Sequence, residues 1–306
     1  MLPTTRPYLD GKGFPLLSAV HLKQCHSPPL RNLAYSFNKK LPPFQFLKRL
    51  QGCHKGDKIK GIQELKEYLK YFGYLRYKNR AHANDDYFDD VLESAIKMYQ
   101  QNYRLKTTGS LTSETVSKMM MPRCGVADLT NGTIKKSSNA YHTSGYTFFP
   151  GNPKWPASKY ALTYELRYDT PPHLIPPLQN AFQAWANVTP FTFSPFHGRG
   201  NPDITIGLYK GDHGDGYPFD AFGAIAAHSW PPQDGRLHFN SYGRFCIGAF
   251  PNLYDFGTVA SHEIGHLLGL GHSRDEEAIM YPVAPFGRVK GIHQYDIEGV
   301  RALYEF

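Results

Sequence analysis

Between positions 262 and 272 the chain reads His262-Glu263-Ile264-Gly265-His266-Leu267-Leu268-Gly269-Leu270-Gly271-His272. Four-residue spacing sets His262 and His266 on one face of a helix, where both imidazoles can hold one metal ion. Glu263 follows directly and is near enough to reach a water on that metal. Gly269 accepts backbone angles other residues avoid, so the helix can stop there and His272 can return as a third nitrogen ligand. Three protein ligands leave the fourth position of tetrahedral zinc open to water, the arrangement of a catalytic rather than a structural site. A bare His-Glu-x-x-His arises by chance on helix surfaces, but a Gly and a third His at fixed offsets make chance a poor account.

Eight residues past His272 stands Met280, within Ala278-Ile279-Met280-Tyr281-Pro282. A lone Met is usually core filler. A Met placed closely after a three-His stretch has the order of the Met-turn of metzincin proteases. The chain therefore resembles a metzincin, and Ser273 after the third His resembles the matrixin branch, the matrix metalloproteinases. The resemblance implies Glu263 as the catalytic base and Met280 as the Met-turn residue.

The chain has 306 residues, enough for two domains, and a net charge of +8. Residues 1–144 carry +12 and residues 145–306 carry −4, so the two halves attract each other. Nucleic-acid binding is set aside, because the lysines are dispersed along apparent helices without a recognisable motif. No apolar run approaches the ~18 residues of a membrane span. Phe14 to Val20 is short for a signal core and is interrupted by Pro15, so a signal peptide is not evident, nor is a C-terminal lipid anchor. Of four cysteines, Cys124 has another role (below); Cys25, Cys53 and Cys246 then allow at most one intramolecular bridge, and the sequence does not choose the pair. Sequons at Asn131 and Asn187 fit a secreted chain.

In order, residues 1–43 are rich in Pro and basic residues and read as a flexible or processed segment. Residues 44–121 read as a small three-helix bundle. Ile59, Ile62, Leu65, Leu69 and Phe72 mark its first helix, closed by Gly73. Phe88, Val91, Leu92, Ala95, Ile96 and Tyr99 mark the second, with Asp85, Asp86, Asp89 and Asp90 at the dipole's positive end. Leu111, Val116, Met119 and Met120 mark the third. The bundle resembles plant matrix metalloproteinase propeptides, and that fold is similar to peptidoglycan-binding domains, which raises a wall-binding alternative. Residues 129–147 are polar and Gly/Ser/Asn/Thr-rich, the signature of an activation linker, and the resemblance places the mature start near Tyr146 to Phe149. The catalytic domain, 148–306, opens with the alternating strand Leu162 to Tyr168, followed by a helix through Leu178, Ala181, Phe182 and Trp185, and a strand from Asp203 to Leu208. A capped helix from near Asp255 carries the metal stretch, and a last helix turns Ile297, Val300 and Leu303 inward. The fold class expected is α+β: a helical propeptide bundle, then a metzincin catalytic domain with a twisted, mostly parallel sheet, an active-site helix and a C-terminal helix. The plant-type arrangement it resembles lacks a hemopexin domain.

Three further sets complete the reading. Residues 122–128, Pro122-Arg123-Cys124-Gly125-Val126-Ala127-Asp128, resemble the cysteine switch of matrixin propeptides. A thiol brought to zinc deprotonates and binds strongly, excluding water, while Arg123 and Asp128 can pair across the loop. His213, Asp215, His228 and His238 supply three nitrogens and an oxygen, a closed structural zinc site, and match that site of matrixins residue by residue. Asp203, with Asp220, Ala221, Gly223 and Ile225, matches calcium positions of the family, but Asn240 and Gly243 stand where the family places two acids, which lowers the calcium affinity expected. The loop Ala284 to Gly291 lies where matrixins wall the pocket for the residue after the cleaved bond. The expected protein is a latent, secreted zinc endopeptidase with two zinc ions and calcium, monomeric, acting outside the cell (in the apoplast) on protein or peptide substrates. Its rival is a non-catalytic wall-binding protein with an inert protease fold.

Overall fold

The computed structural model describes residues 44–78, 81–129 and 145–306, all within one folded unit. The N-terminal segment, Asn131 and most of the linker lie outside the described residues.

Helices form in the bundle where apolar side chains recur at helical spacing and a cap meets the free N–H groups. Helix α1 (Ile62–Tyr71) is capped from a distance: Asp86 Oδ1 accepts from Gly61 N at 3.1 Å and Gln63 N at 3.0 Å. Helix α2 (Asp90–Asn102) is capped by Asp89, which accepts from Leu92 N at 2.8 Å, and α3 (Ser113–Met119) by Thr112. Leu65, Leu69, Leu92, Ile96, Tyr99 and Met119 close the bundle core. Two expectations change. Ile59 stands ahead of α1 and is 40% exposed. Asp85 serves the buried Lys66 rather than a helix dipole: Lys66 Nζ donates to Asp85 Oδ1 at 2.8 Å and to the carbonyls of His82 and Asp85. An ammonium out of water needs such partners.

The second half is built on a five-stranded sheet. Its strands are β1 (Ala161–Leu166), β2 (Thr192–Pro195), β3 (Ile204–Tyr209), β4 (Ala227–Ser229) and β5 (Arg236–Asn240), in the order β2-β1-β3-β5-β4. Only β4, on β5, is antiparallel. Helix α4 (Ile175–Ala186) follows β1. A two-stranded pair, β6 (Phe245–Cys246) and β7 (Tyr254–Asp255), leads into α5 (Phe256–Leu267); α6 (Gln294–Tyr304) ends the chain. The main core unites the sheet with α4, α5 and α6. Trp185 of α4 is fully buried and donates Nε1–H to Ser261 O of α5 at 2.8 Å, which pins the metal-stretch helix; a Trp-to-Ala change at such a site costs about 3–5 kcal/mol. The fold is α+β, a helical region followed by a domain with a mostly parallel sheet, as the sequence led one to expect.

The bundle core does not end at the bundle. Phe219, Ile225, Tyr281 and Val283 of the second half belong to it. The two halves share apolar surface as well as opposite charge.

Candidate active site and metal centres

Helix α5 is capped by Asp255, which accepts from Thr258 N at 2.8 Å, and is buried along nearly its whole length. The rings of His262 and His266 lie one turn apart, 4.8 Å between centroids. Gly269 then takes φ 94°, and a Cβ there would meet Pro153 O at 2.3 Å, so only glycine makes the turn. The turn brings the His272 ring to 4.8 Å from that of His266.

Each imidazole is oriented through Nδ1. His262 Nδ1 is 2.7 Å from Ile279 O, His266 Nδ1 is 2.7 Å from Leu270 O, and His272 Nδ1 is 2.8 Å from Asp128 Oδ1. An Nδ1–H donated to oxygen leaves the Nε2 lone pair for a metal. The remaining atoms converge. His266 Nε2 lies 3.2 Å from His272 Nε2 and 3.5 Å from Cys124 Sγ, and all four ligand atoms lie within 4.8 Å of one another. His262 Nε2 is buried without a hydrogen-bond partner. Burial holds all three histidines below their ordinary pKa, so they are neutral. Buried lone pairs facing one another with no proton between them fit a zinc ion. Met280 Sδ packs where a Cβ at Gly265 would be 2.2 Å away, and its carbonyl accepts from Ser273 N at 2.8 Å beside His272.

Glu263 is fully buried, and desolvation pushes its carboxyl up to about 7. Ser229, at the end of β4, donates Oγ–H to Glu263 Oε2 at 2.6 Å, while Oε1 has no partner. Ser229 was not singled out in the sequence. Its only signal there is its place after His228, and nothing in that spacing points to Glu263.

The β4–β5 register sets His228 opposite His238 and so builds the second cluster. Asp215 Oδ2 lies 2.6 Å from His213 Nε2, 2.9 Å from His228 Nε2 and 2.9 Å from His238 Nδ1. Burial lowers His228 to about 4 and lowers His238, while a backbone N–H and these histidines hold Asp215 near 2 against its own desolvation. Neutral imidazoles around one carboxylate oxygen fit a divalent cation with no position open.

Residues 122–125 thread the cleft as an extended strand. Arg123 N donates to Ala224 O at 2.9 Å, Cys124 N to Pro282 O at 2.9 Å and Gly125 N to Ala227 O at 2.8 Å, and Ala284 N returns a bond to Pro122 O at 2.9 Å. A Cβ on Gly125 would press on Ile225 Cγ2 at 2.8 Å, so glycine permits the approach. Arg123 is buried with its guanidinium 3.5 Å over the Phe72 ring; it donates to Asp128 Oδ1 at 2.5 Å and to Tyr103 Oη at 3.0 Å. Asp128 Oδ2 accepts from Tyr74 Oη at 2.6 Å and Tyr103 Oη at 3.0 Å. Segment 145–149 lies along 270–273, with Gly271 N donating to Thr147 O at 2.8 Å.

The residues of the calcium set are engaged within the chain itself, in keeping with the lowered affinity expected from Asn240 and Gly243. Asp203 is paired with Lys159 and accepts from Thr163 N and Oγ1, each at 2.9 Å. Asp220 caps its own loop, which includes Ala221, by accepting from Phe222 N, Ala224 N and Ile225 N. Asn240 Nδ2 donates to Asp220 O at 3.0 Å and Ile225 O at 2.9 Å, and Tyr254 Oη donates to Gly223 O at 2.5 Å. These oxygens already accept hydrogen bonds from the chain. At Gly243 a Cβ would meet Phe245 at 2.6 Å and Asn240 O at 2.8 Å, so an acid there would need its neighbours to shift.

Among the described residues no helix is long and apolar enough to cross a membrane. Cys53 and Cys124 are buried thiols, and Cys25 lies outside the described residues.

Comparison with known proteins agrees with this architecture. The matrixin family profile matches residues 154–305, and a peptidoglycan-binding domain profile matches 59–119. Metalloendoproteinase 5-MMP of Arabidopsis thaliana is 39% identical over 300 residues, 90% of this chain and 82% of its own length. Metalloendoproteinase 1 of Glycine max is 40% identical over 262 residues, 82% of this chain and 84% of its own length. Matrix metalloproteinase-20 of Homo sapiens is 36% identical over 218 residues, 68% of this chain and 41% of its own length. With the three-histidine site on its buried helix and a helical domain ahead of it, the chain belongs to the matrixins and is a zinc metalloendopeptidase.

Proposed function

We propose that this metalloendopeptidase is latent, blocked by its own Cys124, and that its substrates are extracellular or cell-wall proteins. The observation that carries this reading is the strand pairing of residues 122–125 between residues 224–227 and 282–284. A cleft that pairs both edges of an extended chain and leaves its two ends free suits internal peptide bonds. In the latent form Cys124 fills the position beside His266 and Glu263 that water needs.

His262, His266 and His272 hold the catalytic zinc, and His213, Asp215, His228 and His238 hold a second, structural zinc. When bound, the catalytic ion supplies Lewis-acid polarisation of the carbonyl and a water of lowered pKa. Glu263 takes a proton from the attacking water on Oε1 and returns it to the leaving amine. Its raised pKa suits both transfers near neutral pH. The paired strands orient the scissile bond, and the bundle keeps bulk water away until it is removed. Residues 44–121, 122–128, 129–147 and 148–306 serve as propeptide bundle, switch, activation linker and catalytic domain, and residues 1–43 are the N-terminal segment ahead of them.

Cleavage of a quenched peptide by full-length protein, before and after an organomercurial that blocks Cys124, tests the reading. Silence followed by chelator-sensitive activity supports it. Activity without treatment would remove the switch from the account, and silence in both states with zinc bound would favour an inert fold. The profile match over 59–119 supports a second reading for the bundle, binding of wall polymer, which sedimentation of the full-length protein with isolated wall material tests.

A further inference from the structure

One cation lines the cavity beside Glu263. That cavity, about 20 Å³ with Cys124 among its lining residues, has apolar walls that include Val259, Ile279, Val283 and Pro285, and His262, Glu263 and Lys290 also line it. Lys290 N donates to Thr258 Oγ1 at 2.9 Å, and Thr258 lies one turn of α5 before His262. Lys290 therefore stands roughly 6 Å along the helix from the metal-facing residue.

The ammonium is poorly matched to its surroundings. Nζ donates to Ala278 O and lies 5.7 Å from the Tyr281 ring centroid. Among the described residues no carboxylate forms an ion pair with it. Asp296, the first of its attractive neighbours, spends its oxygens on the N–H groups of Ile279, Met280 and His293. Burial brings Lys290 down to about 8, so it remains mostly charged at neutral pH. An ammonium has three donors, and one carbonyl uses only one of them. A charge left under-paired against apolar walls favours any occupant that brings an oxygen.

We propose that Lys290 is a specificity-determining residue, and that this pocket takes a side chain with an aliphatic stem and a terminal oxygen acceptor, glutamine or glutamate, from the residue on the amine side of the cleaved bond. The proposal rests on the endopeptidase reading above. The stem satisfies the apolar walls and the oxygen satisfies the ammonium. A lysine that merely shortened the pocket would select by size and ignore charge.

The test uses full-length protein after organomercurial activation, with quenched peptides that differ only at that residue: Leu, Met, Gln, Glu and Lys. The wild type cleaves the Gln and Glu peptides with kcat/KM higher than Leu by on the order of tenfold. Lys290→Met removes that advantage, and Lys290→Glu turns the preference toward the Lys peptide, a gain that damage to the fold does not produce. A ranking led by Leu and unchanged in both variants overturns the proposal. Affinities of the same peptides for activated, zinc-loaded Glu263→Gln protein separate this proposal from the protease reading. No turnover with the predicted affinity order would overturn the protease reading and keep Lys290 in its role. No turnover and no order in affinity would overturn both.

Discussion

Asp128 Oδ1 lies 2.8 Å from His272 Nδ1, so a carboxylate of segment 122–128 orients a histidine of the catalytic cluster. The same oxygen accepts from Arg123 at 2.5 Å, and the other from Tyr74 and Tyr103. Burial alone would raise this carboxyl, but Arg123 and His272 hold it far below the usual carboxylate range. The propeptide is thus anchored at two points of one cluster, the thiol and this carboxylate. Breaking a buried charged pair costs about 3–5 kcal/mol. Asp128→Asn in the full-length chain should therefore expose Cys124 to a thiol reagent at least about tenfold faster and raise activity before treatment. An unchanged labelling rate would leave the thiol as the sole anchor at the histidine cluster, beside the backbone pairing of 122–125.

Glu263→Gln keeps the shape of the side chain and loses the base. Turnover should fall by about 10²–10⁴ while zinc content, read by metal analysis, stays at the wild-type level. Equal turnover in the variant would mean that another group takes the water proton.

Ser229 holds Glu263 Oε2 at 2.6 Å and leaves Oε1 free. Its hydrogen bond favours the ionised carboxylate, opposing the desolvation that raises Glu263. Ser229→Ala removes that support, so the Glu263 pKa rises. The base is then protonated at a higher pH, and the acidic limb of the kcat/KM profile moves upward. With KM little changed, kcat should fall by on the order of tenfold, and Ser229→Thr, which keeps the hydroxyl, should restore it. A profile that does not move in the alanine variant would assign Ser229 to packing alone.

Local spacing does not carry the contact between these two residues. The spacing of His262, His266 and His272 is local, and helical periodicity carries it. The same holds for Leu92, Ile96 and Tyr99 of α2. Ser229 and Glu263 are 34 residues apart, and Asp128 and His272 are 144 apart. Only the sheet order and the docking of the bundle bring those pairs together, and neither leaves a period in the sequence. Asp86, which caps α1 from a loop 25 residues on, leaves no local signal for the same reason. Asp203 and Asp220 show the same limit: the residue type suits an ion, but their pairing with Lys159 and with the loop's own N–H groups is not legible in the spacing.

Asn240 fixes the last expectation. Its amide donates to Asp220 O and Ile225 O, two carbonyls that would otherwise face a cation, and Tyr254 meets Gly223 O. A neutral side chain thereby does the cross-linking that an ion would do, without the loss of charge balance that an empty cation site brings. The thermal midpoint of dialysed full-length protein should shift by less than about 2 °C when millimolar calcium is added. Asn240→Asp removes both donors and turns a carboxylate toward two carbonyl oxygens, at a cost of about 1–3 kcal/mol for each group left unsatisfied. Its midpoint should fall by several degrees in the absence of calcium, and calcium should recover most of the loss, because the new carboxylate and the freed carbonyls are hard oxygen ligands. Activity offers a second reading, since Ile225 borders the strand that pairs with Arg123 and a loosened loop weakens that edge of the cleft. If the wild type itself gains many degrees from calcium, the ion binds elsewhere or displaces the amide, and Asn240 is not its substitute.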